Sequence, residues 1–159
     1  MQESRSKLSA TEVEELARTH AYHEDRGEFE PVLRTLVSDA VYQFCPIGVQ
    51  LEGVDAILRY YQRVERHYSP RVEQARLELL VASASAAVIE YALQLQLDGR
   101  FVDDRLIVVL PVRGQLFEGE RIYSSERVLR LLLGEMIDET HPMPGSVWLG
   151  ESGTKRGSG

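Results

Sequence analysis

The 159-residue chain is sized for one domain, and 43% hydrophobic residues give it a core with room for a pocket. Eighteen Lys and Arg against 25 Asp and Glu leave a net charge of −7, which opposes a nucleic-acid backbone or an anionic membrane surface as partner. A lone cysteine forms no internal disulfide, the start Met-Gln-Glu-Ser-Arg-Ser-Lys carries no apolar leader, and the most apolar stretch, 79–97, is broken by Ser83, Ser85, Glu90, Gln94 and Gln96; the expectation is a cytoplasmic protein with no membrane span.

Ser9 or Thr11 can cap a first helix, in which Val13, Leu16, Ala17 and His20 recur at the helical period and Gly27 marks the end. Pro31 suits the first turn of a short second helix running to about Val37. Residues 40–44 read as a strand, Cys-Pro-Ile-Gly as a turn, and 54–67 as a third helix. That helix turns Ile57, Leu58, Tyr61 and Val64 inward and Arg59, Arg63 and Arg66 outward, the latter an ordinary solvated face. Beyond Pro70 the period changes. Stretches 77–81, 87–97, 105–112 and 121–124 read as an antiparallel meander divided by turn signals at Asp98-Gly99, Arg113-Gly114 and Glu118-Gly119. Ser125 can cap a last helix, 126–133, stopped by Gly134. The predicted organisation is a flexible start at 1–8, a folded domain at 9–134 and a loose tail at 135–159, in which Met143, Val147, Trp148 and Leu149 are the apolar residues.

Several chemistries find no support. His-x-x-x-His and Cys-x-x-Cys spacings are absent, so no metal is expected. The glycine-rich phosphate loops and the Gly-x-Ser-x-Gly elbow are absent too, and no cofactor is expected.

Helices followed by a long antiparallel sheet make an α+β protein. The stretches HAYHEDRGEFEPVLRTLVSDAVYQF, GVQLEGVDAILRYY and GERIYSSERVL resemble the helix-turn-helix-strand, third helix and last strand of the nuclear transport factor 2-like superfamily, in its SnoaL-like and ketosteroid isomerase-like branch. The resemblance covers about 9–134. It implies a cone-shaped curved antiparallel sheet packed on three N-terminal helices, with a small lipophilic molecule such as a steroid, terpenoid or polyketide inside. Two familiar family carboxylates are missing: Cys45 stands where ketosteroid isomerases carry an Asp base, and Tyr123-Ser124-Ser125 lacks the final Asp.

His20 continues an inward stripe and can exchange protons near neutral pH, or serve as a core histidine bonded to a carbonyl. Glu90 lies mid-strand on the face shared by Val88, Ala92, Gln94 and Gln96, opposite the apolar Ile89, Tyr91, Leu93 face. It must be solvated, paired with Arg105 or Arg121 across the sheet, or turned toward a cavity, where it would be an acid or base. The functional expectation is an isomerase, cyclase, dehydratase or epoxide hydrolase. Glu90 and His20 are its catalytic pair, with Tyr42, Cys45, Tyr61, Arg105 and Tyr123 as substrate contacts. A non-catalytic binding or dimerisation module of the same fold is the alternative. A homodimer through the sheet is expected from Leu106, Val108, Leu110 and Val112 or their alternates.

Overall fold

A computed structural model describes residues 7–145. The first helix, α1 (Ala10–Asp25), begins with a capping box: the Glu12 amide donates to the Ser9 hydroxyl, and the Ser9 amide donates back to Glu12 Oε2 at 2.7 Å. It is followed by α2 (Phe29–Leu33), β1 (Leu36–Cys45), β2 (Val49–Glu52) and α3 (Val54–Arg63). The third helix runs on through a π-helical turn, Val64–Tyr68, and a 3-10 turn, Ser69–Arg71. Then come β3 (Val72–Ala82), β4 (Ala86–Leu97), β5 (Arg100–Arg113), β6 (Leu116–Ser124), α4 (Glu126–Leu133), a 3-10 turn (Gly134–Glu139) and β7 (His141–Pro142).

The seven strands form one sheet in the order β3-β4-β5-β6-β1-β2-β7. The α+β expectation holds, but the sheet is mixed rather than antiparallel, because β1 runs parallel to β6. This follows from where the short early strand inserts: β1 precedes the meander in sequence yet closes against its last strand. The Cys-Pro-Ile-Gly turn is a hairpin, since β2 pairs back on β1 from Val41↔Glu52 to Phe44↔Val49. The second helix ends at Leu33 rather than Val37, as β1 claims residues from Leu36 onward.

Helices α1 and α3 pack on one sheet face, α1 over β3 and β4 and α3 over β1 and β2. The core lies between them, built on Tyr42, Phe44, Ile57, Leu95, Leu110 and Leu129. Each such side chain contributes about 1.5 to 3 kcal/mol by leaving water. Ile89, Leu93 and Leu95 of β4 are buried on this side, so the wholly apolar face of that strand is the inner one.

Two regions depart from expectation. Arg63, expected in solvent, is buried. Its Nη1 donates to the carbonyls of Leu131 at 2.6 Å and Leu132 at 2.9 Å, satisfying the open end of α4, and Nε pairs with Glu135 at 3.0 Å. Gly134 makes room for this, since a Cβ there would meet the guanidinium at 1.8 Å. The stretch after Gly134, expected to be loose, is packed as far as Met143. Met136 is buried, Glu139 pairs with Arg59 at 2.6 Å, and the Met143 amide donates to Gly48. Val147, Trp148 and Leu149 lie outside the described residues. Among the described residues no helix is long and apolar enough to cross a membrane.

Candidate functional site

A cavity of about 760 Å³ opens between the helices and the sheet. Its walls are largely apolar and aromatic, from Tyr60, Tyr68, Tyr91, Leu93, Val108 and Ile122, and Glu24 and Glu120 are among the charged residues that interrupt them. Glu24 reaches the cavity because it sits four residues after His20 on α1, one turn further along the same stripe. Glu120 reaches it through a bulge. Between Leu36↔Phe117 and Val41↔Gly119 the β1/β6 register slips, and both Gly119 and Glu120 are buried in succession. Gly119 has φ +140, and a Cβ on it would lie 1.9 Å from the Val41 carbonyl oxygen. Glycine therefore permits the close strand contact that turns Glu120 inward.

Behind Glu120 lies a closed polar network. His20 Nε2 is 2.8 Å from Glu120 Oε1, and His20 Nδ1 is 2.6 Å from the Thr35 hydroxyl oxygen. The Thr35 hydroxyl spends its only hydrogen on the Val32 carbonyl at 2.6 Å, so it must accept from His20 Nδ1–H. Nε2 and Glu120 then share a single proton between them, as imidazolium and carboxylate or as a neutral pair. Tyr61 Oη donates to Glu120 Oε1 at 3.3 Å and lies 2.5 Å from Tyr42 Oη. Phe29 stacks on Tyr61, and the Phe117 ring meets His20 edge-on.

Burial pulls the His20 imidazole down, but its hydrogen bond to Glu120 and the charges of Glu120 and Glu24 outweigh this and leave it raised. Glu24 is pushed up to about 8, first by burial and then by the Glu120 charge, with His20 opposing. The phenols of Tyr42, Tyr60 and Tyr61 are raised well above their usual value by burial and by the same two carboxylates. His20, Glu24 and Glu120 have ligand atoms within 4.8 Å of one another and could hold a metal ion, although His20 and Glu120 already satisfy each other.

Of the expected site residues, His20, Tyr42 and Tyr61 are brought together in this network. Those three stand behind Glu120 without lining the cavity, and Glu90, Cys45, Arg105 and Tyr123 do not line it either. Glu90 sits on the outer sheet face, 3.0 Å from Arg105, because the buried alternation of β4 belongs to the odd-numbered residues. The expectation that Glu90 joins His20 is thus corrected: His20 meets Glu120. Cys45 is cross-strand from Tyr123, its Sγ 3.9 Å from Met143 Sδ, and burial raises its thiol despite Tyr123 and Arg121. It is held in the unreactive form at neutral pH.

No family model and no curated protein matches the chain. Solved structures do. Bal32a, from a soil-derived mobile gene cassette, superposes with a TM-score of 0.63 at 14% identity, covering 77% of this chain and 94% of that one. A nuclear transport factor 2-like protein of Burkholderia xenovorans gives 0.61 at 15%, covering 80% and 99%. The chain has the nuclear transport factor 2-like fold. A protein of Kribbella flavida with this fold, named as a candidate ketosteroid isomerase, gives 0.59 at 22% identity and covers 74% of this chain and 80% of its own. A de novo designed protein with a curved β-sheet also superposes, with a TM-score of 0.60 at 11% identity, covering 83% of this chain and 96% of that one.

Proposed function

We propose that the chain is an enzyme that moves protons on a small lipophilic molecule held in the cavity, of the isomerase, cyclase, dehydratase or epoxide hydrolase kind. One observation carries this reading. Two carboxylates line a largely apolar cavity with an imidazole directly behind one of them, and Arg18, the base that lines it among the described residues, pairs with Glu14 instead. Burying such groups is costly, and proton transfer in a water-poor site is the chemistry they suit.

In this reading Glu120 faces the substrate and exchanges a proton with it. His20, fixed by Thr35, holds or returns that proton from behind, and Tyr61 donates to the Glu120 oxygen that carries the charge. Glu24, protonated over much of the neutral range, stands ready as an acid. The walls exclude water and strengthen each of these interactions. The similar folds named for ketosteroid isomerase and polyketide cyclase support the substrate class.

The alternative is a binding module without chemistry. It is favoured by the closure of the network, since His20, Thr35, Tyr42, Tyr61 and Glu120 all have partners within the protein. The experiment is a turnover screen of steroids, terpenoid epoxides and polyketide mimics, repeated with Glu120→Gln. Turnover that disappears in the variant supports the enzyme; binding without turnover, unchanged in the variant, supports the module.

A further inference from the structure

The charges that reach the cavity are unbalanced. Among the described residues, Glu24, Asp25, Glu73 and Glu120 line it against a single base, Arg18, which Glu14 already engages at 2.7 Å. Tyr68 lines the same cavity. It is 8% exposed, and its hydroxyl is the buried side-chain polar atom without a hydrogen-bond partner among the described residues. It stands at the end of the π-helical turn that follows α3, an irregularity that fixes where this side chain enters the wall. The surrounding rings of Tyr60 and Tyr91 offer electron-rich faces.

We propose that the cavity binds a lipophilic amine: an apolar body carrying a protonated nitrogen, seated among Glu24, Glu120 and Tyr68. This rests on the reading of the cavity as the ligand site and names the ligand's chemical class. The nitrogen supplies a counter-charge for the half-buried Glu24, because His20 already pairs with Glu120 from behind. The Tyr68 hydroxyl oxygen accepts an N–H, and the tyrosine faces attract the cation. An anionic ligand meets an acidic lining, and a neutral alcohol satisfies Tyr68 but gains no ion pair with Glu24.

The groups that act on Glu24 are His20 and Asp25 on its own helix and Glu120 on β6, and its charge is felt by Tyr42 on β1, Tyr60 and Tyr61 on α3, and by Tyr68 and Tyr91. Glu24 therefore gives up its proton to solvent when the cation arrives, and amine binding at pH 7 is accompanied by proton release.

The test is calorimetric titration of the full chain with two matched series. One is dehydroabietylamine, dehydroabietinol and dehydroabietic acid; the other is 1-aminoadamantane, 1-adamantanol and 1-adamantanecarboxylate. In at least one series the amine binds at least tenfold tighter than the alcohol, the acid gives no binding, and the heat varies with buffer ionisation enthalpy as proton release requires. Glu24→Gln, which imitates the protonated side chain and so keeps the fold, reduces the amine preference at least threefold, and Tyr68→Phe weakens the amine. Alcohols that bind as tightly as the amines, or acids that bind at all, overturn this proposal while leaving the cavity as a ligand site. No binding in either series overturns both. If the outer-face variant Glu90→Gln changes amine affinity and Glu24→Gln does not, the amine sits elsewhere and the proposal fails.

Discussion

His20 and Glu120, 100 positions apart in the chain, meet at 2.8 Å with Thr35 holding the far side of the imidazole. The contact joins the first helix to the last long strand, so one hydrogen bond links the stability of the fold to the candidate site. Glu120→Gln keeps the volume and removes the shared proton. Turnover of any substrate found falls by roughly two to four orders of magnitude. Glu90→Gln, by contrast, breaks only a partly exposed ion pair with Arg105, leaving turnover unchanged and stability within about 1 kcal/mol. Equal losses in the two variants would show that the site has been misplaced.

Stability should depend on pH in a direction unusual for a carboxylate-rich protein. Glu24 is raised from its ordinary 4.5 to about 8, and His20 is raised above its ordinary 6.5, so both hold protons more tightly folded than unfolded. A raised group stabilises fully below its unfolded value, and that contribution disappears as pH climbs through the folded value. For Glu24 the window runs from about 4.5 to about 8. Melting temperature therefore falls between pH 5.5 and pH 8.5, and Glu24→Gln flattens the decline. A melting temperature that rises over this range contradicts the assignment.

Gly119 tests how Glu120 is aimed. With φ +140 and the Val41 oxygen 1.9 Å from any Cβ, Gly119→Ala must open the β1/β6 contact. The expected cost is about 3 kcal/mol or more, read by denaturant unfolding. A near-neutral Gly119→Ala would mean that the bulge does not position the carboxylate.

The same glycine explains what the sequence hid. Glu118-Gly119 has the composition of a turn, yet Gly119 lies within β6, where glycine marks a bulge and close backbone approach. With the strand started at Arg121, Glu120 fell outside it and its inward direction was invisible. Glu24 could have been found: it extends the Val13, Ala17, His20 stripe by one more turn before the helix end marked by Gly27. Glu90 misled because alternation separates two faces without saying which is covered. The wholly apolar face of β4 is the one under the helices. The order of the helices and of the longer strands was readable because capping, proline and period are local signals; the short β2 and β7 were missed, and the parallel β1/β6 pairing was hidden because register between distant strands leaves no local mark.

Ending the chain after Gly134 should destabilise it. The cut removes Met136 from the core, takes Glu135 from Arg63 and Glu139 from Arg59, and uncovers β2 by removing β7. Burial of one methionine and two ion pairs with exposed carboxylates together suggest a loss of about 2 to 4 kcal/mol. Unfolding curves of the full and shortened chains decide it, and coincident curves would mean this segment contributes nothing.

The outer face of the sheet supports the last prediction, a homodimer. Leu106, Val108 and Leu110 point inward, two of them onto the cavity, so the covered surface must come from their alternates. Register places Leu79, Glu90, Ile107 and Tyr123 in one row across β3, β4, β5 and β6, and Val81, Val88, Val109 and Arg121 in the next. These rows are apolar apart from Glu90, Arg121 and the Tyr123 hydroxyl, and Leu79, Val81, Ile107 and Tyr123 are exposed. A second copy turned about a two-fold axis presents the same rows to each other and removes that apolar surface from water. Sedimentation at micromolar concentration should report twice the 18.0 kDa chain mass. Ile107→Glu puts a charge in the middle of the face on both copies, and should give the monomer mass while preserving the circular dichroism of the fold, since the side chain leaves the core untouched. A wild-type protein that sediments at the monomer mass would show that the face is left open.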